Sequence, residues 1–216
     1  MDRTPLEKLL WLHGEIGPEA RIRLGEFSSL WHSGQEEDLF AELVFCILTP
    51  QSRAALCWDA VEDLRSRGML LFGEPKDVLA SMGRVRFKYK KSLFVVGARE
   101  LFLRKGHLCL RTILSEEGAP ESMRDWLVKH VKGLGLKEAS HFLRNIGMGE
   151  ELAILDRHIL KNLVCLGVIA GVPASLTPSR YKEIESRMKT FSSSIGIPMG
   201  ELDLILWYRE TGSIFK

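Results

Sequence analysis

The sequence predicts an all-α protein, two helical lobes around a groove, and three observations carry that prediction. Almost every segment spaces its apolar residues at helical period. No stretch alternates apolar and polar residues as a half-buried strand would. Helix punctuation recurs along the chain, with N-cap residues and first-turn prolines before the periodic runs and glycines after them. At 216 residues, 45% hydrophobic and 27% charged, with a mean hydropathy of −0.01, the chain has the composition of an ordinary globular protein. Its length supports one ample core or two small lobes. Disorder, collagen-like repeats and a disulfide-scaffold miniprotein are excluded on these figures.

In chain order, residues 38–48 read as a helix with Leu39, Phe40, Leu43, Val44 and Ile47 inward. Pro50 interrupts it, and a second helix spans residues 52–64. A third covers residues 89–103, with Leu93, Val96 and Leu101 as its inward stripe and Gly106 as its stop. Pro120 suits the first position of a helix over residues 121–131, with Met123, Leu127 and Val131 inward. Lys132-Gly133-Leu134-Gly135 breaks that helix. The next, residues 136–146, places Ala139, Phe142, Leu143 and Ile146 at i, i+3, i+4 and i+7, with Gly147 as its C′ residue. Asp156 is an N-cap for residues 157–166, which Gly167 closes. Residues 180–192 and 200–208 complete the helices. No repeat or linker appears, so residues 1–216 form a single unit with two sub-lobes and a hairpin motif at about residues 121–147.

No window of about 18 uncharged apolar residues exists, so no membrane span is expected. Residues 1–14 lack an apolar signal core and a cleavage site. Cys46, Cys57, Cys109 and Cys165 have no CxxC spacing and read as buried thiols of a reducing cytosol, not as a zinc or iron–sulfur ligand set.

The net charge of +2 conceals an asymmetry. Residues 1–83 hold 8 basic and 14 acidic residues, a balance of −6, and residues 84–216 hold 22 and 14, a balance of +8. Arg84, Arg86, Lys88, Lys90, Lys91, Arg99, Arg104 and Lys105 face a single acid, Glu100, within one tract. A polyanion partner is expected of such a stretch, although charge alone favours a solvated helix face.

Helix, then Val131-Lys132-Gly133-Leu134-Gly135, then helix is the pattern of a helix-hairpin-helix. Glycine lets the turn's backbone N–H groups approach a phosphate oxygen without a Cβ between them, and Leu134 packs beneath. Taken alone, Gly-Leu-Gly is better read as a tight turn between helices. Lys137 strengthens the reading, because it lies in the first turn of the following helix, where the macrodipole opposes a cation. That environment favours the neutral amine a nucleophile needs. Asp156 follows nineteen residues later and can serve as cap and catalyst together.

The run from Lys132 to Asn145, with Ile154-Leu155-Asp156-Arg157-His158, resembles the helix-hairpin-helix DNA glycosylase superfamily. Leu48-Thr49-Pro50-Gln51-Ser52, Arg86-Phe87, Trp207-Tyr208, Thr211-Gly212 and Lys216 narrow the resemblance to the type 2 8-oxoguanine DNA glycosylase/AP lyases, over nearly the whole chain. The superfamily's iron–sulfur branch is excluded, because no cysteine follows Cys165. The resemblance implies two lobes around a DNA-binding cleft and a partner in double-stranded DNA containing 8-oxoguanine. It makes Lys137 the amine that attacks the anomeric carbon and forms a Schiff base, and Asp156 the carboxylate beside the developing oxocarbenium. It places His158 on backbone phosphate, Gln51 as the wedge that enters the duplex where a flipped base has left, and Phe87 and Trp207 on the two faces of that base. The hairpin turn makes Gly133 and Gly135 expected phosphate contacts, and the charge of the basic tract makes Lys90 and Lys91 expected DNA contacts.

Lys216 falls at the family's C-terminal lysine, nine residues after Trp207. 8-Oxoguanine carries a hydrogen on N7 where guanine has a lone pair, so an α-carboxylate there is expected to read the difference. No cofactor is expected, although related hairpins hold a monovalent cation on their carbonyls. A monomer, cytoplasmic and associated with the nucleoid, is the expected form. Two alternatives stay open: a glycosylase of the same fold with another damaged or mismatched base, and a non-catalytic helix-hairpin-helix DNA-binding module, which would need neither Lys137 nor Asp156.

Overall fold

A computed structural model describes residues 3–216, and its regular structure is helical apart from one small ribbon. The elements are α1 (Pro5–Ser33), α2 (Glu36–Leu48), α3 (Ala54–Ser66), α4 (Met69–Phe72), α5 (Pro75–Ser81), α6 (Lys88–Phe102), β1 (Leu103–Arg104), β2 (His107–Leu108), α7 (Leu110–Glu116), α8 (Pro120–His130), α9 (Leu136–Asn145), α10 (Arg157–Cys165), α11 (Pro178–Ile195) and α12 (Met199–Thr211). Two compact units result, one of Leu30–Phe142 and one of Met1–Ser29 with Leu143–Lys216. None of the helices is long and apolar enough to cross a membrane, among the described residues.

The unit Leu30–Phe142 is built around α2, which is buried continuously from Leu39 to Leu48 and packs against α3, α6 and α7. A helix apolar on every side belongs at the centre of a bundle. Arg111 of α7 closes the turn between α1 and α2. Its Nε donates to Trp31 O (2.8 Å), Nη2 to Gly34 O (2.8 Å), and Nη1 to Glu36 Oε1 (2.9 Å).

Helix α6 lies where its period predicts, but it faces the other way. Leu93 is 59% exposed, while Lys91, Ser92, Val95, Ala98, Arg99 and Phe102 are buried. The reason is that two cations of this helix serve backbone carbonyls inside the unit. Arg99 donates to Leu70 O (3.3 Å) and Gly73 O (2.7 Å), satisfying acceptors at and just after the short α4. After α6 the chain forms a ribbon in place of a plain stop. Leu103 pairs with Leu108 and Arg104 with His107 across Lys105-Gly106, both left-handed at φ 50° and 84°. That two-residue turn matches the twist of paired strands, and strands of two residues leave no alternating pattern to read.

In the other unit, α1 buries Leu9, Gly17, Ala20, Leu24 and Phe27 along one stripe, and it runs through Pro18. His13 Nε2 and Arg21 Nη1 both reach Glu201 Oε2 of α12 at 2.9 Å. Gly147, at φ 75°, ends α9 as expected, and a Cβ there would overlap the backbone of Ser28. Thr177 caps α11, its Oγ1 accepting from Arg180 N at 3.3 Å, so this helix starts earlier and ends later than residues 180–192. Helix α12 likewise extends to Thr211. Cys46 and Cys57 are buried as expected, but Cys109 is half-buried and Cys165 exposed.

Candidate functional site

The hairpin begins where Val131 leaves helical geometry at the end of α8, its N–H still donating to Leu127 O (2.8 Å). Leu134 N returns to Val131 O (3.3 Å), and the Leu134 side chain is buried beneath the turn, as expected. The two glycines differ in what they do. Gly133 is left-handed at φ 93°, and a Cβ there would come within 2.7 Å of Phe94 Cδ2 on α6. Gly135 has no such backbone requirement. It caps α9, its carbonyl accepting from Ala139 N (2.9 Å), and its N–H donates to Glu138 Oε2 (3.2 Å). This is the side-chain half of a capping box, so Glu138 holds a donor that a phosphate would otherwise meet. Arg124, buried in α8, donates from Nη1 to Ser140 Oγ (3.2 Å) and ties the two hairpin helices together.

Lys137 is the second residue of α9 and is half-buried. Its charge acts on Cys57, whose thiol burial pushes up to about 11 against the opposing pull of Lys91, Ser52 and Lys137 itself. Cys57 Sγ–H donates to Leu48 O at 3.2 Å, at the end of α2. The loop after α2 carries Gln51, exposed and left-handed at φ 56°. Gln51 is therefore a loop residue and not the start of a helix, in a conformation that costs an L-residue about 1–2 kcal/mol. Phe87 is also left-handed, at φ 57°, and 54% exposed, with the Arg86 guanidinium 5.5 Å from its ring centroid. Arg86 N donates to Ser52 Oγ at 2.9 Å, which fastens the Phe87 turn to the Gln51 loop.

Lys91 needs correcting. It is not part of a solvated phosphate-binding face, because it is 4% exposed and its Nζ donates to Leu48 O (2.6 Å), Pro50 O (2.8 Å) and Ser52 Oγ (3.2 Å). Burial, the largest influence, lowers its pKa, while Cys57 and Glu138 act to raise it and Arg86 to lower it. Lys90, one residue earlier, is exposed, as are Arg84, Arg86, Arg104 and Lys105, so a basic surface remains without Lys91 and Arg99.

Asp156 belongs to the other unit from Lys137. The segment before it is fixed by Tyr181, whose hydroxyl donates to Ala153 O (2.6 Å) and accepts from Leu155 N (3.2 Å), and by Glu185, whose Oε2 accepts from Ala153 N (2.8 Å). Asp156 caps α10 as expected, Oδ1 accepting from Ile159 N at 2.8 Å. His158, two residues on, meets Trp207 edge to face, with ring centroids 5.6 Å apart. Its Nδ1 lies 3.4 Å from Glu210 Oε2. Asn162 Nδ2 donates to Glu210 Oε1 (3.0 Å) and to His158 O (2.9 Å). The Asn162 hydrogen bond, with Lys161 and His158, holds the Glu210 carboxyl below its ordinary pKa. Trp207 and Lys216 are both half-buried.

The structure thus gathers Gln51, Phe87, the hairpin and Lys137 in one unit, and Asp156, His158, Trp207 and Lys216 in the other. Ser52, Glu138 and Glu210 were not singled out by sequence reasoning. Glu138 had a legible signal, three residues after a cap. Glu210 had none, because it meets His158 only through the packing of α10 on α12.

A family model described as 8-oxoguanine DNA glycosylase matches residues 20–197, a span that includes Lys137 and Asp156. The 8-oxoguanine DNA glycosylase/AP lyase of Fusobacterium nucleatum is 43% identical over 205 residues, 95% of this chain and 94% of that protein. That of Korarchaeum cryptofilum is 44% identical over 183 residues, 84% of each. The Methanocaldococcus jannaschii 8-oxoguanine glycosylase/lyase, solved in complex with a 15mer DNA containing 8-oxoguanine, superposes with a TM-score of 0.86 at 31% identity, over 97% of this chain and 98% of that one. The chain therefore belongs to the helix-hairpin-helix family of 8-oxoguanine DNA glycosylases.

Proposed function

We propose that the protein excises 8-oxoguanine from duplex DNA and then cuts the strand at the resulting abasic site. The observation that carries this reading is the hairpin that delivers Lys137 to the first turn of α9, in a chain that aligns almost end to end with 8-oxoguanine DNA glycosylase/AP lyases. The exposed Phe87 supports stacking of a base in one unit, and the His158–Trp207 pair supports an aromatic contact in the other. Lys216 completes base recognition.

In this scheme Gln51 fills the space left by the flipped base, and Lys90, His158 and the hairpin backbone bind phosphates. The neutral Lys137 amine attacks C1′ as the glycosidic bond breaks, and the departing base takes up a proton. Asp156 stabilises the oxocarbenium character that develops at the sugar, and the same carboxylate caps α10. Cleavage of the C1′–O4′ bond, with O4′ taking up the proton that the amine sheds, opens the sugar to a Schiff base, which makes the C2′ proton acidic. Its removal expels the 3′ phosphate by β-elimination, and hydrolysis of the imine returns the amine. Protein side chains supply this chemistry without an iron–sulfur cluster, and the hairpin carbonyls are where a monovalent cation would bind. The protein acts as a monomer on nucleoid DNA in the cytoplasm.

A duplex carrying one 8-oxoguanine provides the test. Free 8-oxoguanine and a cleaved strand should appear together, with little release of guanine from the matched duplex. Release of another base in its place would overturn the substrate assignment, and binding without release would leave only the DNA-binding module.

A further inference from the structure

We propose that Lys91 is a positioning residue that sets the wedge loop and the Phe87 turn as one piece, so that eviction of the damaged base and its reception are prepared together. The inference rests on the proposed roles of Gln51 and Phe87.

The geometry starts at the end of α2. Leu48 O is among the carbonyls that a helix C-terminus leaves unpaired, and a cation is favoured there by the macrodipole. Lys91 Nζ donates to it at 2.6 Å, and with its other two hydrogen bonds reaches both sides of Gln51, Pro50 O at 2.8 Å and Ser52 Oγ at 3.2 Å. One ammonium thus holds the residues that flank a left-handed, exposed glutamine. Phe87 is tied to the same node. Its carbonyl accepts from Lys91 N (3.1 Å) in the first turn of α6, and the preceding Arg86 N donates to Ser52 Oγ. The chain's left-handed wedge candidate and left-handed pocket aromatic are therefore joined through Lys91 and Ser52 over a few hydrogen bonds.

The chemistry favours a positioning role over a direct one. Nζ is buried and its three hydrogens are directed at three acceptors. A phosphate would have to break this set to reach it. Burying an ammonium is costly and its burial opposes the charge, so an apolar residue would make the simpler core. What the lysine provides is the conformation of a loop whose own sequence contains a proline and a left-handed glutamine.

The test compares Lys91→Met and Ser52→Ala with the wild type. Under single-turnover conditions, release of 8-oxoguanine from duplex should fall about tenfold or more in Lys91→Met, and by a smaller factor in Ser52→Ala. Cleavage of a preformed abasic site, which needs no base eviction, should stay within about twofold. The fluorescence rise of 2-aminopurine placed beside the lesion, which reports loss of stacking, should slow in step with excision. In the double variant the losses should not add, because the two residues share one node.

Parallel loss of excision and abasic cleavage would overturn the proposal in favour of general structural damage. An unchanged excision rate in a folded variant would also overturn it. So would a weaker affinity for undamaged duplex with a salt slope reduced by about one, which marks a phosphate contact. Should Lys91→Met fail to fold, Ser52→Ala carries the same comparison by itself. A wild type that releases no 8-oxoguanine would defeat the functional reading, and the proposal with it.

Discussion

Alanine at Gly133 should cost more than alanine at Gly135, although the two glycines look alike in the hairpin sequence. At Gly133 the backbone is left-handed, φ 93°, which costs an L-residue about 1–2 kcal/mol. The new Cβ would also approach Phe94 Cδ2 to 2.7 Å, a contact that overpacks the hairpin by about 1–3 kcal/mol. Phe94 is half-buried and can turn aside in part, which favours the lower end of that range. The stiffer unfolded chain of the alanine variant offsets about 0.4–1 kcal/mol. A net loss of about 1–3 kcal/mol follows from these opposing effects. At Gly135 the backbone is ordinary and the nearest atom is Glu138 Oε2, 3.2 Å away at the end of a flexible side chain. Alanine is merely a poorer cap than glycine there, so the loss should be about 0.5–1 kcal/mol. Urea unfolding of the three proteins, with slopes compared as well as midpoints, measures the difference. DNA affinity should drop in Gly133→Ala beyond what its stability loss explains, because the turn is displaced by its own packing. Equal costs at the two positions, or a neutral Gly133→Ala, would show that neither the left-handed backbone nor the Phe94 contact constrains Gly133.

Other outcomes follow from the same geometry. Asp156→Asn keeps a capping side chain, so stability should change by under about 1 kcal/mol, while base release falls by orders of magnitude. Activity that merely tracks folding would reduce Asp156 to a cap. Lys90→Ala should weaken damaged and undamaged duplex alike and lower the salt slope of binding by about one. A loss confined to damaged DNA would instead place Lys90 at the base pocket. Iodoacetamide at about pH 8 should modify exposed Cys165 first and the buried Cys46 and Cys57 last, since burial also holds the Cys57 thiol neutral. Rapid alkylation of Cys57 in the folded protein would contradict its burial.

What the sequence revealed depended on how local the physics was. The caps at Asp156 and Thr177, and the stops at Gly147 and Gly167, act within a turn of helix, and the first, third and fourth of these were legible. Lys137 was legible for the same reason, because its position relative to the hairpin is a matter of spacing. The buried face of α6 was not. Hydropathy assigns Lys91 and Arg99 to solvent, whereas both reach carbonyls at the ends of α2 and α4, contacts between residues 26 to 43 positions apart. Helix α1 was missed because its buried stripe includes Gly17 and Ala20, too small to mark a face, and because Pro18 lies inside the helix. The left-handed states of Gln51 and Phe87 left no trace either, since neither residue type favours positive φ. They became visible only with the Lys91–Ser52 node that holds them.

In the proposed reaction the Lys137 amine attacks the sugar of an 8-oxoguanine nucleotide. Borohydride added during reaction with a duplex bearing one 8-oxoguanine should reduce the imine and link protein to DNA. Digestion and mass spectrometry should then find the adduct on the peptide containing Lys137, and Lys137→Gln should abolish trapping while duplex binding survives. An adduct on another residue, or trapping by Lys137→Gln at the wild-type rate, would remove Lys137 as the nucleophile.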